Sequence, residues 1–258
     1  MKHASDFRKI SREALHDNWR VASLTGFVAS LVGANIAESG SSYASNSFSD
    51  LSDLSFSGST QQILTLAVII GTVLGYLSIV QLVIGGACKL GYAKFNLNLI
   101  DGKPVAFSDL FSQSNRIGAG FCMNLLRGLY TFLWSLLFVI PGIIKSYSYS
   151  MTPYILLEHP QMSANEAITA SRNIMQGNKE RLFWLLLSFI GWDLLFLLPS
   201  LVAILLAAYG ICSITALIIT ICFSALLEIL LLMPYKEAAQ AAFYREISNA
   251  NHPFRPRV

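Results

Sequence analysis

Six stretches of this chain carry almost no charge over lengths that approach or exceed one crossing of a lipid bilayer. They are Val21–Ala37, Ile63–Cys88, Ile117–Ile140, Ile143–Leu157, Leu182–Ala208 and Ile211–Pro234. A bilayer's hydrocarbon core is roughly 30 Å thick, and a helix needs about 20 apolar residues to traverse it. In lipid every backbone N–H and C=O must be bonded within the protein, so long apolar runs become helices. The sequence therefore predicts an all-α fold: a polytopic membrane helix bundle of about six transmembrane helices, with short amphipathic interfacial helices. At 54% hydrophobic and 13% charged residues, the 258-residue chain departs from soluble averages, and its length bounds helix number more than domain number.

Charge orients the bundle. Of 18 Lys and Arg, all but Arg127 and Lys145 lie in the tails or in the connections 89–116 and 158–181. The Ser-rich connection 38–62 and the turns at Pro141 and Gly210 hold none. By the positive-inside rule both termini are cytoplasmic. The expected organisation is a cytoplasmic amphipathic segment 1–20, a membrane domain 21–234 and a cytoplasmic tail 235–258. The net charge of +3 is mild, and basic tails facing anionic headgroups account for it without nucleic acid.

Local signals refine this outline. Phe7, Ile10 and Ala14 lie on one side of Arg8, Lys9 and Arg12, which reads as an interfacial helix before an uncleaved anchor. Gly71 and Gly75 form a small-xxx-small step in the second run. Asp101-Gly102-Lys103-Pro104 is a turn, and Phe107–Phe111 a short amphipathic stretch. Pro141-Gly142 reads as a tight external hairpin, and Pro153 as a kink in the fourth run, for which a re-entrant segment is the alternative to a full crossing. Ser163 and Glu166 have capping-box spacing, and Gly177 stops the helix they begin. Ser11-Arg12 followed by Asn18-Trp19-Arg20 resembles Ser171-Arg172 followed by Asn178-Lys179-Glu180-Arg181, with Phe107–Arg116 as a weaker third copy. Such a match fits a repeated unit of interfacial helix plus membrane hairpin, and also fits chance.

Four ionisable residues fall inside the apolar runs: Arg127, Lys145, Asp193 and Glu228. A charge at the centre of a spanning helix costs a few kcal/mol unless it is paired, wet or snorkelling. Depth along the helices makes Asp193 or Glu228 the expected partner of Arg127, whereas Lys145, near the hairpin, is expected to reach the headgroups. Asn124, Arg127 and Thr131 share one face of the third run; Ser213, Leu217, Thr220, Ser224 and Glu228 share one of the sixth. Polar faces of this kind pack against protein or line a solute path. Lys145, Ser163, Glu166, Lys179 and Arg181 are the candidate interfacial residues.

Catalytic signatures are missing. No nucleophile elbow, zinc-protease, P-loop or dinucleotide pattern occurs, and His3, His16, His159 and His252 are dispersed. Cys88, Cys122, Cys212 and Cys222 lack metal or redox spacing and read as small apolar filler. No catalytic, cofactor or metal residues are assigned.

Three passages carry a resemblance: IPGIIKSYSYSMTPYILLEHP from Ile140, GNKERLFWLLLSFIGWDLL from Gly177 and PYKEAAQAAFYREI from Pro234. Together they resemble the bacterial integral-membrane family known as domain of unknown function 975. The resemblance implies about six helices, a bacterial plasma membrane and no assigned activity. The reading that follows is a non-enzymatic, multi-pass membrane component whose partners are membrane lipids or another membrane protein, without cofactor. The alternative is a small transporter or channel using the polar faces of the third, fifth and sixth spans.

Overall fold

A computed structural model describes residues 2–31, 84–209 and 214–250, all of them helical or in short connections. The Ser-rich connection and the Gly71–Gly75 step lie outside the described residues. Helix α1 spans Ala4–Leu15 and α2 Trp19–Leu31; residues 84–100 form α3. Two 3-10 turns, Phe107–Phe111 and Ser114–Arg116, lead into α4, Ile117–Leu137. There follow α5 (Val139–Tyr149), α6 (Thr152–Glu158), α7 (Ala164–Ile174), α8 (Lys179–Leu187) and α9 (Ile190–Ala208). The last helical rod comprises α10 (Ile214–Leu227), a π-helical turn (Glu228–Leu232) and α11 (Met233–Ala250).

These helices divide into a packed head and outward-facing apolar rods. Phe7, Met123, Met151, Leu156, Leu182, Phe189 and Phe243 are almost wholly enclosed in one core; Leu15, Tyr92, Phe95 and Leu110 form another beside it. Large side chains of α9, α10 and the end of α4 instead face outward, with Leu136 74%, Phe138 71% and Ile219 67% exposed. Two continuous helices are long and apolar enough to cross a membrane, Lys179–Leu206 and Thr215–Asn249. About six such helices were expected; two meet the criterion among the described residues.

Several boundaries differ from the sequence reading. The connection expected from Lys89 to Arg116 is helical through Ile100, and Leu90, Tyr92, Phe95, Leu97 and Leu99 are buried. Lys89 and Lys94 interrupt an apolar run without interrupting a helix, because lysine is a good helix former. The expected turn does stop it. Lys103 N donates to the Asn98 carbonyl and Gly102 N to that of Leu99, a Schellman closure with Gly102 at φ +67. Likewise, the expected tail from residue 235 is helical to Ala250 and buries Ala238, Ala242, Phe243, Tyr244 and Ile247 in the head.

The chain reverses between α4 and α5 at Phe138, which is extended at φ −159 and ψ 147, not at Pro141-Gly142. Pro141 falls in the first turn of α5, where backbone N–H groups have no intrahelical acceptor and the missing donor costs little. The fourth run is broken at Ser150-Met151, and Pro153 sits in the first turn of α6 rather than within a kinked helix. Pro234 interrupts the last rod more gently. It has no N–H for the carbonyl of Leu230, four residues earlier, and the Ser23 hydroxyl donates to that carbonyl at 2.8 Å.

The repeat is carried by geometry as well as by letters. His3 N donates to Asp6 Oδ2 at 2.8 Å and Ser163 N to Glu166 Oε2 at 2.8 Å, each starting an amphipathic helix. The buried pairs Phe7 and Ala167, Ser11 and Ser171, Leu15 and Met175, Ala22 and Leu182 each lie 160 positions apart. Ala106 N donates to Asp109 Oδ2 at 3.2 Å before the buried Leu110, so Phe107–Phe111 repeats the start of the unit in a single turn.

Helix α7 spends its apolar face on protein: Ala164, Ala167, Ile168 and Ser171 are buried, and it packs on α4, α5 and α6. The reciprocal bond from Glu166 N to Ser163 Oγ completes the expected cap. These bonds to Ser163 hold the Glu166 carboxyl below its ordinary range, so the contribution of the ionised group is present above pH 4.5 and is lost as pH falls through the lowered value. Ser163→Ala is expected to cost about 1 kcal/mol, read as faster amide exchange across α7 in the detergent-solubilised protein.

Candidate functional site

Buried charge was the expected focus, and it is arranged differently. Asn124 and Arg127, which share a face of α4, are 6% and 4% exposed, so this polar stripe is enclosed by protein. The Thr131 hydroxyl donates to the Arg127 carbonyl at 2.9 Å. Asp193, however, is engaged by Lys236 of α11, Nζ to Oδ1 2.5 Å, with the side chains about a third exposed. Asp193 and Glu228 were the expected partners of Arg127; the ion pair that Asp193 makes is with Lys236. Lys236 lay beyond the expected end of the sixth helix, and only the continuation of that helix past Pro234 brings it alongside α9.

Ser224 is buried, and its hydroxyl donates to the Phe196 carbonyl, joining α10 to α9. Glu228 is exposed rather than buried. The π turn begins at this residue, and the four-residue spacing that placed it in line with Ser224 ends there. Lys145 lies over the Trp134 ring, 4.4 Å from its centroid, where a cation-π contact supplements any reach toward headgroups. Lys179 is half-buried at the start of α8.

Arg181 goes deeper than an interfacial residue. Its guanidinium meets Glu246 at 2.5 Å, Asn178 Oδ1 at 3.1 Å and the Lys2 carbonyl at 3.1 Å. It also lies 6.0 Å from the Phe7 ring and 5.6 Å from that of Phe243. Arg245, which sequence reasoning did not single out, bridges Asp101, just past the end of α3, at 2.6 Å and Glu158, the last residue of α6. The Tyr244 hydroxyl donates to Glu158 at 2.5 Å. The periodic burial of Ala238, Ala241, Tyr244 and Ile247 was the available signal that these charges sit on a packed helix.

A cavity of about 630 Å³ opens where α1 and α2 meet α9 and the π turn. Arg8, Arg12, Ser5 and Tyr235 supply its polar lining; Trp19, Trp192, Phe196, Leu231 and Leu232 supply the rest. Arg8 Nη1 donates to the Ser188 carbonyl at 3.3 Å and the Tyr235 hydroxyl to the Arg8 carbonyl at 3.1 Å, so α1 is tied to the α8–α9 turn and to α11 beside the opening. Arg8 Nε is enclosed and has no acceptor among the described residues. Among those residues, no group of three His, Cys, Asp or Glu is placed to hold a metal ion.

The fold and these sites define an all-helical protein with helices of membrane-spanning length and composition, closed at one end by a charged, packed head. Residues 136–251 match the family model described as Protein of unknown function (DUF975), and this segment contains all three resembling passages. No curated protein and no solved structure matches the chain.

The Lys236–Asp193 contact makes a measurable claim. Asp193→Ala and Lys236→Ala should each lower thermal stability in detergent, and the double variant should lose less than the two losses added. A coupling of about 1–2 kcal/mol is expected for a contacting pair; strict additivity would show that the two groups do not act together.

Proposed function

We propose that this chain is a non-enzymatic, multi-pass membrane component with about six spans and cytoplasmic termini, residing in a bacterial plasma membrane and binding lipid there. The observation carrying this reading is the outward orientation of large apolar side chains along α9 and α10. A surface of that size and character is unfavourable in water. It becomes favourable when lipid tails take the place of water. The head supplies the complementary half: its basic side chains, on α1, α8 and α11, lie where the apolar rods begin.

The closed Lys236–Asp193 pair supports a binding or structural role over transport, because a coupling carboxylate must exchange protons or solute rather than remain bonded to a lysine. A small transporter or channel has one observation in its favour: Glu228 is exposed on an apolar rod, with no basic partner among the described residues. Glu228→Gln leaving the protein folded but abolishing a proton-coupled flux in liposomes would establish that second reading.

The membrane reading predicts that the protein sediments with membranes, resists extraction by alkaline carbonate and requires detergent for solution. Reporter fusions after Asn46 should read external, and those after Gly177 and Val258 cytoplasmic. Release by carbonate would overturn the spanning architecture. An external Gly177 would make the α5–α6 segment re-entrant.

A further inference from the structure

We infer that the 630 Å³ cavity between α1, α2, α9 and the π turn is a binding site for an anionic phospholipid. The headgroup phosphate is held by Arg8 and Arg12, and the first part of an acyl chain lies along Trp192, Phe196, Leu231 and Leu232. This deepens the membrane reading above and rests on it.

Four observations carry the assignment. First, Arg8 and Arg12 are one turn apart on the same helix and line the same cavity, and like charges at that spacing repel unless an anion lies between them. Second, no carboxylate lines the cavity, and each acid adjacent in sequence to a lining residue has another partner: Asp6 accepts from His3 N, Glu13 lies 4.0 Å from Lys9, and Asp193 is engaged by Lys236. Guanidinium groups present forked donors that match phosphate oxygens, and the enclosed Arg8 Nε is such a donor.

Third, the remaining lining is aromatic and aliphatic, an environment that does not suit a free, hydrated phosphate but suits a phosphodiester carrying a hydrocarbon tail. Its volume lies within the range of about 300–1,000 Å³ usual for small-molecule sites, enough for a headgroup and an upper chain segment. The rest of the tail continues along the outward-facing surface of α9, where Leu195 and Leu198 are exposed. Fourth, Leu231 and Leu232 belong to the π turn, a local widening of the helix that is found disproportionately at functional sites. Ser23 holds this turn from α2 through the Leu230 carbonyl.

The test uses the full chain purified in dodecyl maltoside, a neutral detergent, with three probes at equal concentration: dioctanoyl phosphatidylglycerol, dioctanoyl phosphatidylcholine and inorganic phosphate. Phosphatidylglycerol should raise Tm by about 5 °C at saturation, and the other two should leave it unchanged. Arg12→Gln, on an exposed side chain, should reduce the shift, and Arg8→Gln with Arg12→Gln should remove it. Should the double variant fail to fold through loss of the Ser188 bond, Leu231→Trp provides an independent arm: it leaves both arginines in place, fills the apolar floor and should also remove the shift. Equal stabilisation of the wild type and Leu231→Trp by phosphatidylglycerol would overturn the site. So would stabilisation by inorganic phosphate equal to that by the lipid, which would leave an anion site without a lipid. A protein that needs detergent yet ignores phosphatidylglycerol loses only this site; one that is soluble without detergent loses the membrane reading itself.

Discussion

The guanidinium of Arg181 is the point on which the head closes. Within one side chain's reach it binds the carboxylate of Glu246 on α11, the carbonyl of Lys2 before α1 and the amide oxygen of Asn178 at the start of its own helix. The rings of Phe7 and Phe243, themselves 5.3 Å apart, flank it. A half-buried arginine is tolerable only when its fixed donors are met by acceptors, and here two elements distant in sequence and the start of its own helix each supply one. Arg245 does the same on another face of α11, gathering the ends of α3 and α6. Together the two arginines make α11 the axis to which the shorter helices attach.

That arrangement separates two kinds of surface. In the head, apolar groups face inward and charges are bonded across helices, as in a soluble domain. In the rods the relation is inverted: the small and polar groups of α9 and α10 face each other, with Ser224 bonded to the Phe196 carbonyl, while leucine, isoleucine and phenylalanine face out. Lys236 and Asp193 sit at the join. The close crossing of α3 and α4 follows the same economy of bulk, because a Cβ on Gly86 would come within 2.2 Å of the Gly120 backbone. The two backbones approach so closely that neither position has room for a Cβ.

Much of this was legible in the residues, for reasons that differ from element to element. The α7 cap could be read because Ser163 and Glu166 satisfy each other's backbone partners locally, without help from the rest of the fold. The polar face of α4 could be read because helical periodicity alone decides that Asn124 and Arg127 share a side. The partner of Asp193 could not. Charge density separated membrane from tail at Pro234, whereas the helix continues past it, where Ser23, 207 positions before Leu230, supplies the Leu230 carbonyl with the donor that the proline lacks. For the same reason Lys89 and Lys94 marked an end of apolar sequence that was no end of helix. The cavity was illegible for a related cause: its two arginines lie on α1 and its floor on α9 and the π turn, and no local pattern encodes their meeting.

The bond between Lys2 N and Glu246 Oε1 spans 244 positions, and with Phe7 against Phe243 it joins the two ends of the chain. During synthesis at about 5–20 residues per second, α1 emerges roughly 10–50 seconds before α11 exists. Throughout that interval its apolar side has no protein to cover it. On the membrane reading proposed above, an amphipathic helix with a basic face rests meanwhile on the lipid surface. On that reading, the α1 that ends as a wall of the head begins as a tether for the nascent chain, and the last helix made is the one that lifts it from the bilayer.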